Sequence, residues 1–147
     1  MKKENFKEAV DQNRDNDITL ISTSVWAFEG VNDVSFQDTI DSTDAALEEF
    51  GLVKVESVED IRRAKAEGKM AIMYNTQGAD FVADDMDKVK WARDNGIKVM
   101  NFTYNNDNAL AGGGQNPENN GVTEVGKQFI RRMNEERLVI DLSLIHI

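Results

Sequence analysis

Four short apolar runs punctuate the chain: Ile18–Trp26, Lys69–Asn75, Ile97–Thr103 and Leu138–Leu142. Their apolar character is nearly continuous rather than alternating, which marks strands buried on both faces. Strands of that kind belong to parallel sheets, and a parallel partner is reached only through a long return connection, usually a helix. The stretches between the runs carry helical periodicity, so the sequence predicts an α/β fold of parallel βα units. Right-handed crossovers would gather the C-terminal ends of all strands on one side, together with the loops Phe28–Asp33, Thr76–Asp80 and Tyr104–Gly121.

The connecting helices are legible one by one. Lys2–Arg14 places Phe6, Ala9 and Val10 on one face. Ser35–Phe50 carries Phe36, Ile40, Leu47 and Phe50 as a stripe, with Thr43 between them, and Gly51 is positioned to end it. Val58–Glu67 opens at Ser57 and Asp60, spaced as a capping box, and stops at Gly68. Asp85–Asn95 turns Met86, Val89 and Trp91 or Ala92 inward and stops at Gly96, and Thr123 is placed to cap a helix running to Arg137. Leu52–Val55 is expected only as a short apolar segment outside the four strands.

Composition narrows the function classes. Seventeen basic against 27 acidic residues give a net charge of -10, which disfavours nucleic acid and anionic membrane surfaces as partners. No cysteine is present, so disulfides and thiolate metal sites are excluded. No apolar run approaches the roughly 20 residues needed to span a bilayer. Met1–Asp17 lacks a secretory apolar core, and a cytoplasmic location is expected. Composition does not identify the partner, because acidic surfaces are common and mostly serve solubility.

The strand ends offer the candidate chemistry. Ile97–Thr103 breaks into Tyr104, Asn105, Asn106, Asp107 and Asn108, followed by Gly112–Gly114. Two readings stand side by side: a loop built for its own turns, since Asn and Asp stabilise turns through side chain to backbone bonds, or a set of hydrogen-bonding groups for a polar ligand. Gln77-Gly78 follows the second strand directly, where a glycine permits a sharp turn or a close approach to a ligand. Asp80, Asp84, Asp85 and Asp87 lack the spacing of a calcium loop, and Asp84 and Asp85 suit a helix N-terminus better. His146 is the single histidine and has no partner in sequence.

Three ordered segments add a resemblance. VEDIRRAKAEGKMAIMYNTQGAD, NGIKVMNFTYNNDNALAGGG and NGVTEVGKQFIRRMNEERLVIDLS, together spanning Val58–Ser143, are similar to the motifs of the membrane dipeptidase (renal dipeptidase) family of zinc metallopeptidases. The resemblance implies a TIM-type (β/α)8 barrel, of which this chain would hold about strands two to five as a single incomplete domain. It also implies hydrolysis of dipeptides or related small amides by a metal-bound hydroxide on two zinc ions.

Residue by residue, the chain departs from that pattern. Gln77 stands at the position of the glutamate that bridges both metals, Tyr104 at that of a substrate-contacting histidine, and Leu144 at that of the histidine in Asp-x-Ser-His. Arg137 replaces a glycine, and no His-x-Asp occurs. A neutral amide offers no charge to offset two dications, so metal affinity should fall. Residues 142–147 diverge as a non-native tail would. The expectation is a truncated, catalytically inactive dipeptidase relative that binds no zinc, with Asn105, Asn106, Asp107 and Asn108 as substrate contacts. The alternative is a non-metal small-molecule-binding barrel relative using Gln77, Tyr104 and Asn105. A homodimer covering the open sheet edges is a third option.

Overall fold

The computed structural model describes residues 3–26, 33–118 and 120–143. Five helices, α1 (Lys3–Asp15), α2 (Asp33–Glu49), α3 (Val58–Ala66), α4 (Asp87–Asp94) and α5 (Glu124–Glu135), are interleaved with five strands. The strands are β1 (Leu20–Trp26), β2 (Val53–Lys54), β3 (Ala71–Thr76), β4 (Ile97–Asn101) and β5 (Val139–Asp141). All pairings are parallel, in the order β1-β3-β4-β5. The parallel α/β class expected from the apolar runs is the class found.

One strand was not foreseen. Leu52–Val55 contains β2, which pairs with the first half of β3 through Val53↔Ala71 and Lys54↔Ile72. β4 joins β3 only from Tyr74 onward, so the short strand fills the lower part of the same seam. Two residues carry too little pattern to announce a strand. The helix expected from Asp85 also begins later, at Asp87. A 3-10 turn over Asp80–Val82 precedes it, and Asp85 Oδ1 accepts from the backbone of Asp87 at 2.9 Å.

Successive side chains on a strand face opposite ways, and the two faces of this sheet are covered differently. On one, Ile72, Tyr74, Met100 and Phe102 join Phe36, Ile40, Leu47, Val89, Phe129 and Met133 in the main core. The helix stripes read from sequence supply that layer, with Phe36–Phe81 and Phe102–Phe129 in edge contacts at 5.1 and 5.0 Å. On the other, Leu20, Ala71 and Met73 meet Val53, Val55, Ile61 and Ala64 in a small second cluster. That cluster floors the N-terminal half of the second face. The C-terminal half of that face turns polar, and the site lies there.

Helix ends obey the expected chemistry. The Asp60 carboxylate accepts from the Ser57 backbone and hydroxyl at 2.8 and 3.0 Å, and these bonds hold its pKa below the usual value. Gly51, Gly68 and Gly96 all take positive φ at helix exits. No helix among the described residues is long and apolar enough to cross a membrane.

Candidate functional site

The polar half of the second face is assembled strand by strand. β1 supplies Ser22 and Ser24, β3 supplies Asn75 and leads to Gln77, β4 supplies Val99 and Asn101, and β5 supplies Asp141 and leads to Ser143. Register brings them together: Ser24, Asn75 and Val99 are lateral partners, and Asn101 pairs with Asp141. With Thr76 they line an open cavity of about 240 Å³ at the C-terminal ends of the strands. Such a mouth is where α/β proteins place ligands.

Its hydrogen bonding is only partly closed. Ser24 Oγ donates to Asn75 Oδ1 at 2.6 Å, and Asn75 Nδ2 donates to Ser22 Oγ at 2.6 Å. Asn101 Nδ2 donates to Ser143 Oγ across 3.4 Å. Thr76 Oγ1 and Asn101 Oδ1 find no protein partner although the two residues are only 2% and 4% exposed. A buried polar atom left unpaired costs about 1–3 kcal/mol, so such atoms mark places where water or ligand completes the structure.

Asp141 is the one charged residue among the described residues of the lining. Burial alone would raise its pKa. The backbone N–H and hydroxyl of Ser143 and the amide of Asn101 outweigh burial and hold it below the usual aspartate range. The carboxylate is therefore ionised at neutral pH.

The residues singled out in the sequence separate into two groups. Gln77 lies in this cavity, placed by Gly78, whose φ of +106° turns the chain out of β3. Tyr104, Asn105, Asn106, Asp107 and Asn108 do not line it; they lie in the loop beyond β4. Two of them are used by the loop itself. The Asp107 carboxylate accepts from Gly113 N, Asn116 Nδ2 and Asn120 Nδ2 at 2.8, 2.7 and 2.6 Å. Asn108 donates to Phe102 O at 2.9 Å and accepts from Leu110 N at 2.8 Å. Tyr104 is exposed, and its carbonyl accepts from Gly114 N at 3.0 Å. Gly113 packs so closely that a Cβ there would lie 2.2 Å from Asn106 O. His146 and Leu144, and most of the loop Phe28–Asp33, lie outside the described residues.

Ser22, Ser24, Asn75, Asn101 and Asp141 escaped sequence reasoning. Their signal is a polar residue at every second position as each apolar run nears its end, and it gains meaning only when register places the runs side by side.

The donor set was tested against a pair of zinc ions. Among the described residues no three His, Cys, Asp or Glu side chains converge. The cavity offers one carboxylate, neutral amides and hydroxyls, the Gln77 amide among them. Two dications need anionic or imidazole ligands, so these residues do not fit a dinuclear zinc centre.

Parallel βα units with a polar mouth at the strand ends define a segment of a (β/α)8 barrel, and solved structures agree. An amidohydrolase from Pseudomonas aeruginosa superposes with a TM-score of 0.88 at 24% identity, over 95% of this chain and 42% of its own. The probable dipeptidase PvdM of the same organism gives 0.78 at 20% identity, over 92% and 40%. An uncharacterized protein from the PQQ-III 3′ region of Acinetobacter calcoaceticus is 29% identical over 93 residues, 59% of this chain and 30% of that protein. The chain thus spans about a third to two fifths of the length of these relatives. It belongs to the membrane dipeptidase family (peptidase family M19), whose pattern it matches over residues 29–146. That is a family of metallopeptidases.

Proposed function

We propose that this chain is a dipeptidase-type barrel segment whose mouth binds a small, polar, dipeptide-sized amide through neutral hydrogen-bonding groups, without metal-dependent hydrolysis of its own. The observation that carries this reading is Gln77. It stands at the bridging-glutamate position, inside a cavity whose described lining holds a single carboxylate, Asp141. Family membership supports the substrate class, and the donor set argues against the family's metals. Asn75, Gln77, Asn101 and Ser143 are the proposed contacts. Tyr104, Asn105 and Asn106 would form an outer rim, while Asp107 and Asn108 hold that rim in shape. The chain would constitute one incomplete barrel domain.

The test is metal analysis of the purified chain after zinc loading and dialysis, joined to hydrolysis assays on a dipeptide panel. The expected result is less than stoichiometric zinc and no turnover above the buffer blank. Two zinc ions per chain with zinc-dependent turnover would overturn the reading. A second reading, a zinc enzyme in a longer polypeptide, is favoured by the 42% coverage of the amidohydrolase and by Asp141-x-Ser143 matching the family's Asp-x-Ser. A longer form carrying His-x-Asp and binding two zinc ions would establish it.

A further inference from the structure

Resting on the reading above, the geometry points to one ligand class for the mouth: we infer that the cavity receives the ammonium end of a small molecule, with Asp141 as counter-charge and the side-chain oxygen of Asn101 as acceptor. Three observations converge. The cavity contains one ionised carboxylate and no basic side chain among its described lining residues. A buried oxygen of that lining, Asn101 Oδ1, has no protein donor. An ammonium group supplies three donors and no acceptor, which is the complement of a carboxylate beside an unfilled acceptor.

A carboxylate-headed ligand meets the opposite situation. It would approach Asp141 with no nearby cation to offset the repulsion. Two lysines on neighbouring strands are engaged elsewhere: Lys98 pairs with Glu56 at 2.9 Å and Lys54 with Asp44 at 2.9 Å. The chain's net charge of -10 adds a long-range bias in the same direction. Neutral Gln77 and Asn75 leave room for the amide that follows an amino terminus. Charge selection would thus be made by protein groups at a mouth where a dinuclear zinc site would present positive charge.

The experiment is an amide-resolved NMR titration of the isotope-labelled full chain with three probes. L-alaninamide has an ammonium and no carboxylate, N-acetyl-L-alanine the reverse, and N-acetyl-L-alaninamide neither. Alaninamide should give saturable shifts at the side-chain amides of Asn75, Gln77 and Asn101, and the acetylated probes should not. Asp141→Asn should weaken alaninamide binding by about tenfold, the scale of one charge-assisted hydrogen bond. If that variant does not fold, Asn101→Asp supplies the converse test by tightening it. Alaninamide that gives no saturable shift overturns the inference. Shifts abolished by potassium chloride, but not by equal ionic strength from a bulky organic salt, assign the site to an alkali cation and also overturn it. N-acetyl-L-alanine binding at the same residues removes the ammonium preference yet leaves the binding mouth intact. Zinc-dependent turnover removes the mouth reading whichever probe binds.

Discussion

Replacing Gly126 by alanine opposes two physical effects of known size. Gly126 sits in the first turn of α5, where intrinsic propensity favours alanine by up to about 1 kcal/mol. An added Cβ, however, would stand 2.1 Å from Leu110 O, 2.9 Å from Val122 Cγ1 and 3.0 Å from Leu110 C. A backbone carbonyl cannot rotate away as a side chain can. Leu110 O also accepts from Thr123 N at 3.0 Å, and Thr123 Oγ1 caps the helix by accepting from Gly126 N at 3.0 Å. Relief therefore requires moving α5 off the loop. Overpacking costs about 1–3 kcal/mol and a lost N-cap about 1 kcal/mol. Less the propensity gain, the net destabilisation is about 1–3 kcal/mol, or roughly 3–10 °C in Tm for a domain of this size. Urea melts followed by circular dichroism should show a lower midpoint at unchanged slope. Combining Gly126→Ala with Thr123→Ala should cost less than the sum, because both break one docking contact. A Gly126→Ala chain as stable as the parent, or more so, would refute the argument and leave propensity in command.

Two further substitutions follow from the backbone and the core. Arg137 holds φ +57°, a left-handed conformation that costs a side-chain-bearing residue about 1–2 kcal/mol. Arg137→Gly should therefore raise stability by about 0.5–1 kcal/mol after the entropy of a freer unfolded chain is deducted; a lower Tm in a thermal melt would contradict this. Tyr74 is fully buried and donates to Asp44 at 2.7 Å, so burial first and the neighbouring carboxylate second push its pKa well above the ordinary 10.0. Because the folded value is raised, the contribution is complete below about pH 10 and is lost as pH climbs beyond the unfolded value. Phenolate absorbance of a Tyr104→Phe chain, which reads Tyr74 alone, should show that phenol ionising only together with alkaline unfolding. Tyr74→Phe should flatten the alkaline limb, and a Tyr74 phenol that titrates in the still-folded chain would refute the assignment.

How far the sequence could be read depended on whether a feature is local. Strands β1, β3, β4 and β5 were visible because each is a short run rich in apolar and β-branched residues, although β3 is buried along most of its length while Ser22 and Ser24 of β1 and Val139 of β5 are exposed. Helix exits were visible because Gly51, Gly68 and Gly96 each satisfy a positive φ that few other residues accept. β2 was invisible because its strand character comes from Ala71 and Ile72 opposite, not from its own two residues. The start of α4 was misplaced by two residues because the Asp85 side chain accepts from Asp87 N, a local turn that precedes the helix. The cavity was the least legible part. Ser24, Asn75 and Asn101 are ordinary residues in their own strands and form a site only through cross-strand register.

That difference bears on which half of the molecule recognises a ligand. The asparagine-rich stretch after β4 attracts attention because polar loops at strand ends often carry function. Yet the Asp107 carboxylate already holds three donors, and both polar atoms of the Asn108 amide are engaged in the loop. Side chains so engaged keep little capacity for a ligand. The unpaired oxygen of the mouth lies instead on Asn101, at the end of a strand. There a new bond replaces no old one and removes an existing cost. On the proposed reading, recognition falls to the strand ends, with the loop as a stiff rim. Gln77 connects the two ideas: where the resemblance implies a bridging carboxylate, this chain carries an amide able both to donate and to accept, which on the proposed reading suits a neutral peptide group rather than a cation pair.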